Sequence, residues 1–421
     1  MSGKAPKLLF LAYLFPPAET IACVRTWNIA KYLSRLGWDV TVVTPDPHVW
    51  RLENSSNIEK INLELKKEKL KRITTGHGWR FLSPIHLNVG NTGMKWFCGG
   101  VGRRIAANLR ISQEIGWMKE AKRACSTLVK EDVDLILVSG GPFCSFRLAK
   151  WLSDKLNRPY VLDYRDPWIG NPHTRYPKFQ ETINEEQELI QNSAAVTIVS
   201  PSWALDLTRR YGQNEKIQVI SNGFDPEEMS KVQPTQFPHF AIVYTGIFYP
   251  PKRVITPLME ALKHLQERRG EEQEKWSFHY YGDWGEYVRD EAERFGVMDK
   301  VEIHGKVPRG EALSAVAGAG VSVVITSLAD QATLADQGMI TGKIFEALGL
   351  GTPILLICPL GSDAALENCE GIRAFPKNNV GGMANYLNEL IEGQGKRMKG
   401  RDQYSWVTLS RQLNDILLKS L

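Results

Sequence analysis

The chain has six cysteines, Cys23, Cys98, Cys125, Cys144, Cys358 and Cys369, and no CxxC pair among them. Scattered thiols exclude a zinc ribbon or a disulfide-dense scaffold and suit a reducing compartment. The eight histidines show neither HExxH nor a paired spacing, so no zinc site is expected. No GxGxxG follows a strand and opens a helix, which weighs against a nicotinamide enzyme. Charge of one sign is also scarce. Lys and Arg total 52 against 47 for Asp and Glu, a net +5 that is too mild for a dedicated nucleic-acid binder. Long apolar runs are missing as well. Leu8–Tyr13 is too short to span a membrane, and Phe15-Pro-Pro17 follows it instead of a cleavage site. Ala312–Leu328 carries no charge, but its glycines and the β-branched Val321–Thr326 read as a short helix, a turn and a buried strand. Asp132-Val-Asp134 spells a DxD metal motif but precedes a strand instead of following one, and Asn54-Ser-Ser56 is a sequon without meaning unless the chain is secreted.

What is present is a 421-residue chain with 43% hydrophobic and 24% charged residues, a globular composition of two-domain length. Continuous apolar runs at Leu8–Tyr13, Val40–Thr44, Asp134–Ser139, Tyr160–Asp163, Ala195–Ser200 and Ile217–Ser221 predict parallel strands covered on both faces. Between the first two, Val24, Trp27, Ala30, Leu33 and Leu36 form one helix face, and Gly37 ends it. The second half repeats the pattern. Strands are predicted at Phe240–Thr245, Trp276–Tyr281, Val301–His304, Val321–Thr326, Pro353–Cys358 and Ile372–Phe375, with helices at Val254–Arg269, Val288–Phe295, Glu311–Ala317 and Lys343–Leu348. The fold class is therefore α/β, with two Rossmann-like doubly wound parallel-sheet domains. They are expected over 1–235 and 238–400, with the seam in the proline-bearing stretch Asp225–Pro238 and a last helix near 403–421 packing back on the first domain. In such folds ligands sit at the carboxyl ends of the strands.

Residues 50–130 break this alternation. Trp79, Phe81, Trp96, Phe97 and Trp117 mingle there with Arg80, Lys95, Arg103, Arg104 and Arg110. Two readings stand: an interfacial membrane-surface patch, or a helical insertion with aromatics in the core and charges in water.

Three constellations could carry chemistry. Gly246 ends a predicted strand, and Lys252 and Arg253 follow at the start of a helix, where cations add to free backbone N–H groups to trap an anion such as a diphosphate. Thr341-Gly342-Lys343 opens another helix, with Glu346 one turn inside, within reach of sugar or ribose hydroxyls. Tyr160–Trp168 delivers Arg165, Asp166 and Trp168 past a strand end, where they look like substrate contacts, and the first βα loop, with Glu19 and Thr20, faces the same crevice.

These residues resemble the family-4 glycosyltransferases of two-domain GT-B architecture, in particular those of bacterial polysaccharide and lipopolysaccharide biosynthesis. The resemblance runs through Phe15-Pro-Pro17, Arg25, Gly37–Thr44, Asp163–Trp168, Val219–Gly223 with Asp225, Tyr244-Thr-Gly246, Gly305-Lys-Val307 and Gly342-Lys-Ile-Phe-Glu346. It implies a retaining transferase that moves a sugar from a nucleoside-diphosphate donor, a uridine one, to a hydroxyl of a glycan or lipid-linked acceptor, with no cofactor or obligatory metal. It further implies that Arg253 or Lys252 holds the pyrophosphate, Glu346 the ribose and Val307 the base through its backbone. Gly246, Gly282, Thr341, Gly342 and Lys343 complete the donor site, and Glu19, Thr20 and Trp168 lie on the acceptor side. Arg165-Asp166 stands where relatives carry a His-Asp pair. Gly338 stands where the family's first glutamate would be, and Ala18-Glu19-Thr20 replaces two glycines. A cytoplasmic protein is expected, peripheral on the inner membrane face if the first of the two readings of the Trp79–Trp117 region holds. The rival readings are a sugar-nucleotide epimerase, a nucleotide-sugar-binding scaffold without activity, and a membrane-surface adaptor.

Overall fold

Lys7–Leu11 (β1) has four consecutive buried residues after its first, as an apolar run needs when helices cover both faces of a sheet. The computed structural model describes residues 4–18, 20–47, 55–78, 115–171, 179–269, 275–366, 369–393, 398 and 401–421. The strands that follow β1 are Asp39–Pro45 (β2), Lys71–Thr75 (β3), Leu135–Ser139 (β4), Tyr160–Tyr164 (β5), Ala195–Ile198 (β6) and Ile217–Val219 (β7). They form one parallel sheet in the order β3-β2-β1-β4-β5-β6-β7.

Three sequence expectations change here. The strand β3 lies in the stretch expected to hold none. Its sequence, Lys-Arg-Ile-Thr-Thr, is that of a sheet edge, with charge in place of an apolar run. The helix Ala22–Arg35 buries Arg25, Thr26, Asn28 and Lys31 beside Ile29, Ala30 and Leu33, so it is covered on more than one side, while Leu36 is exposed. Trp117 is fully buried, donates from Nε1 to Thr75 Oγ1 at 2.9 Å and meets the Tyr13 ring edge-on at 5.2 Å. It is therefore core and not part of a membrane patch. Trp79, Phe81, Trp96, Phe97 and the basic residues among them lie outside the described residues.

The second sheet is made of Phe240–Thr245 (β8), Trp276–Tyr281 (β9), Val301–Gly305 (β10), Val321–Ile325 (β11), Ile354–Ile357 (β12) and Ile372–Phe375 (β13). All neighbours are parallel, in the order β10-β9-β8-β11-β12-β13. Successive side chains of β8 serve two different cores: Ile242 and Tyr244 enter one cluster, Ala241 and Val243 the other. That is why no in–out alternation is visible in its sequence. The charge-free stretch 312–328 resolves into the end of helix Arg309–Gly318 and strand β11. No helix among the described residues is long and apolar enough to cross a membrane.

Internal contacts divide the chain into two units. One comprises Met1–Val199, Leu207–Ile220 and Ser410–Leu421, the other Ser200–Asp206 and Ser221–Leu409. The stretch 225–238 thus belongs to the second unit and is not a seam. Asp225 caps the short helix Pro226–Met229, and Thr235 donates its N–H to Ser314 O. The last helix, Trp406–Lys419, ends in the first unit, where Trp38 Nε1 donates to Asn414 Oδ1 at 2.8 Å.

Candidate active site

In the second unit, the carboxyl end of β8 is a close backbone approach. Gly246 has φ +133°, and its carbonyl would lie 2.1 Å from a Cβ at Gly282, so Gly282 admits no side chain. Tyr280 Oη donates to the same Gly246 carbonyl at 2.9 Å and accepts from Trp284 N–H at 3.0 Å. Gly282, Gly305 and Lys306 help line an open depression of 570 Å³ past the ends of β9 and β10. Val307 is half-buried against the core next to it.

The loop after Gly246 is tied to the segment that leads into helix Gly342–Leu350. Lys252 Nζ lies 3.0 Å from Asp336 Oδ1, and Arg253 Nη2 lies 3.5 Å from Met339 Sδ. Asp336 is buried, and it also accepts from Ser327 Oγ at 2.8 Å and from Thr333 Oγ1 at 2.8 Å. Burial alone would raise its carboxyl pKa, but donation from Lys252, Ser327 and Thr333 outweighs it and holds the pKa below the ordinary carboxylate value. Lys252 is therefore charge-compensated, where the sequence suggested a free cation. Thr333-x-x-Asp336 is a capping box, which the structure forms, and that pattern marks the helix start but not the pairing of Asp336 with Lys252.

Arg253 differs. Its guanidinium lies 5.2 Å from the centroid of the Tyr249 ring, its Nε is buried with no hydrogen-bond partner, and no carboxylate pairs with it among the described residues. Thr341, at the N-cap of the next helix, also has a buried hydroxyl without a partner, and it makes no side-chain cap. Lys343 Cε reaches to 3.6 Å from an ideal Cβ on Gly246. Gly246, Lys252, Arg253, Thr341, Gly342 and Lys343 are thus joined by the contacts of two loops at neighbouring strand ends. Glu346 follows one turn on, buried, 3.4 Å from Lys343 Nζ and 3.1 Å from Arg309 Nη2. Arg309 also pairs with Glu228. Arg309 and Glu228 carried no motif in the sequence. Their role comes from packing of the helices Pro226–Met229 and Arg309–Gly318.

Gly338 is filled from outside. An ideal Cβ there would lie 2.3 Å from Trp203 Cδ1, and the indole donates from Nε1 to Ala335 O at 3.0 Å. Trp203 therefore takes the space that a side chain at 338 would need, a relation nothing in the sequence announced.

In the first unit, Asp163 at the end of β5 is fully buried. It accepts from Arg25 Nε at 3.0 Å, Arg25 Nη2 at 2.6 Å, Ser139 Oγ at 2.9 Å and Thr197 Oγ1 at 2.8 Å. Burial opposes its ionisation, but Arg25 and the two hydroxyls win, and its pKa is lowered. This carboxylate knots together the ends of β4, β5, β6 and the first helix. Past it, Arg165 Nε lies 3.4 Å from Asp166 Oδ2, and an ideal Cβ on Gly141 would be 2.7 Å from Arg165 Nη2. Asp166 is exposed at 49% and Arg165 mostly covered at 18%. Trp168 does not behave as a substrate contact: it is buried and stacks on Phe143 at 5.1 Å with rings parallel to 2°. Thr20 is half-buried, its Oγ1 3.4 Å from Cys23 Sγ, and Glu19 lies outside the described residues.

Two parallel sheets, each with its polar cluster at the carboxyl strand ends, define the two Rossmann-like domains of a GT-B protein. Family models match both halves: Glycosyltransferase Family 4 over residues 24–228 and Glycosyl transferases group 1 over 239–393. The chain belongs to the family-4 glycosyltransferases, and it is a glycosyltransferase. Among solved structures it is similar to sucrose-phosphate synthase from Thermosynechococcus elongatus, at 16% identity and a TM-score of 0.64, with 98% of each chain covered. It is similar to a glycosyltransferase from Rickettsia africae at 14% identity and a TM-score of 0.60, with 99% of each covered. It is also similar to HepE of Anabaena, solved with UDP and glucose, at 15% identity and a TM-score of 0.59, covering 99% of this chain and 100% of that one. No curated protein matches it in sequence.

Proposed function

We propose that the chain transfers a sugar, with retention of anomeric configuration, from a UDP-sugar to a hydroxyl of a glycan or lipid-linked acceptor in polysaccharide or lipopolysaccharide synthesis. The observation that carries the reading is Arg253, a guanidinium without a carboxylate partner among the described residues, held against Met339, three residues ahead of helix Gly342–Leu350, whose N-cap Thr341 has an orphaned hydroxyl. A diphosphate supplies what each of these groups lacks. The likeness to HepE, whose structure holds UDP and glucose, supports uridine as the nucleoside.

In this reading the bond between the anomeric carbon and the diphosphate oxygen breaks, and negative charge grows on that oxygen. Arg253 and the helix N–H groups stabilise the charge more in the transition state than before it, with no obligatory metal. Lys252 and Lys343, already oriented by Asp336 and Glu346, border the same anion. The acceptor oxygen bonds to the anomeric carbon, and its proton passes to the departing phosphate, giving a glycoside and UDP. Glu346 binds the ribose, Val307 the base, and Gly246 and Gly282 let backbone approach the donor. As the family resemblance implies, Arg165 and Asp166 serve the reacting sugar, and Thr20 and Glu19 the acceptor. Trp168 takes no part, since its ring is core.

The test pairs UDP binding with turnover. Arg253→Ala should lower turnover by roughly 10²–10³, the loss expected for one preorganised charge-stabilising donor. Lys252→Ala combined with Arg253→Ala should abolish transfer while circular dichroism stays unchanged. Unaltered turnover and UDP affinity in the double variant would remove the proposal. Conversion of the donor without any acceptor would favour an epimerase instead.

A further inference from the structure

One polar cluster of the second unit has no place in this chemistry. His279 on β9 and Glu302 on β10 are register partners, and His304, at the irregularity of the edge strand between Ile303 and Gly305, has its ring against those of His279 and Tyr281. Their ligand atoms converge: His279 Nδ1 to His304 Nε2 is 3.0 Å, His279 Nδ1 to Glu302 Oε2 is 3.5 Å, and His304 Nε2 to Glu302 Oε2 is 4.0 Å. We propose that His279, Glu302 and His304 form a binding site for a divalent transition metal, Zn²⁺ by its donor set, which staples the edge strand β10 to β9.

Three arguments lead there. The first is size. Tetrahedral Zn²⁺ with bonds of about 2.0–2.2 Å needs ligand atoms about 3.3–3.5 Å apart. The three observed separations bracket that value. The longest belongs to Glu302, whose side chain is 54% exposed and free to turn inward. The second is tautomer control. The other ring nitrogen of His279, Nε2, lies 2.7 Å from Ser277 Oγ, on the same face of β9. A ligating imidazole is commonly fixed by such a bond on its far nitrogen, which leaves Nδ1 to the metal. The third is support. His279 is buried against Phe237 at 4.5 Å, and the His304 ring stacks on Tyr281 at 4.2 Å with an interplanar angle of 5°. Two imidazoles and a carboxylate suit Zn²⁺ better than Ca²⁺ or Mg²⁺, and three protein ligands leave the fourth position open on the exposed side. No motif revealed the site because its ligands come from two strands that only the sheet brings together.

The site is separate from the transferase reading, and its test uses no donor sugar. The full chain, stripped with a chelator, is titrated with Zn²⁺ against a chromophoric competitor, and with Co²⁺ for the visible bands of a tetrahedral ion. One equivalent should bind and raise the thermal transition. His304→Asn and Glu302→Gln, both at exposed positions, should each abolish the Co²⁺ bands and the thermal shift. Ser277→Ala should weaken binding about 10- to 100-fold, the usual loss for an outer-shell partner. No saturable binding, or binding as tight in His304→Asn as in the parent, would overturn the assignment and leave a hydrogen-bonded imidazole pair.

Discussion

Replacing Gly338 by alanine should destabilise the second unit although the backbone accepts it. Gly338 has φ −74° and ψ −3°, ordinary helical values, so no left-handed conformation demands glycine. The obstacle is the Trp203 indole, with Cδ1, Nε1 and Cγ at 2.3, 2.5 and 2.7 Å from the added Cβ. Carbon contacts are most favourable at about 3.5–4.0 Å, so the ring must move by about 1 Å or more. Overpacking of that kind costs about 1–3 kcal/mol, and loss of the indole bond to Ala335 O adds about 0.5–1.5 kcal/mol. A total of about 2–4 kcal/mol corresponds to a fall of about 4–16 °C in the transition of a unit this size. Calorimetry on the full chain is the assay, with the Trp203→Ala variant as the second arm. Trp203→Ala alone should cost about 3–5 kcal/mol, and in that background Gly338→Ala should cost almost nothing, a coupling of at least about 1.5 kcal/mol. An unchanged transition in Gly338→Ala, or the same loss whether or not Trp203 is present, would refute the steric argument. Gly338→Glu, which supplies the acid of the family pattern, meets the same ring and should restore nothing while Trp203 remains.

Two further perturbations concern the first unit. Asp163→Ala removes the buried carboxylate that Arg25 Nε and Nη2, Ser139 and Thr197 all donate to and should cost about 3–5 kcal/mol, read as an earlier first transition in urea; an unshifted midpoint would count against the knot. Glu186 is buried, which pushes its carboxyl up to about 7 even though Tyr211 Oη donates to it at 2.6 Å and Arg210 lies 3.8 Å away. Its folded pKa lies above the unfolded value, so between about pH 4.5 and 7 the folded state holds more protons and stability falls as pH rises. Glu186→Gln should therefore match the parent near pH 5 and exceed it near pH 8, by on the order of 3 kcal/mol at most. Parallel stability–pH curves for the two proteins would contradict this.

Much of the fold was legible because burial on both faces writes itself as continuous apolar runs. Phe240–Thr245, Trp276–Tyr281 and Ile372–Phe375 have the bounds that their composition predicts. The strand β3 is hidden in the sequence because an edge needs few apolar residues; Trp117 stays between two readings and Trp168 reads as a substrate contact because an aromatic beside charges looks alike in core and at a surface. In the candidate site, cations near strand ends could be read from position alone. Their compensation could not: Asp336 is far from Lys252 in sequence, and only the fold puts it 3.0 Å away. Gly338 read as a missing acid, whereas the structure makes it the floor under Trp203.

The affiliation of Ser410–Leu421 with the first unit bears on how the protein is made. The indole of Trp38 waits for Asn414, so the unit begun first on the ribosome cannot be finished until synthesis has passed the second. The later-made unit can close around its own sheet beforehand, while its predecessor stays incomplete and dependent on protection from aggregation. Shortening the chain by its last dozen residues should therefore injure the lobe farthest from the cut in sequence.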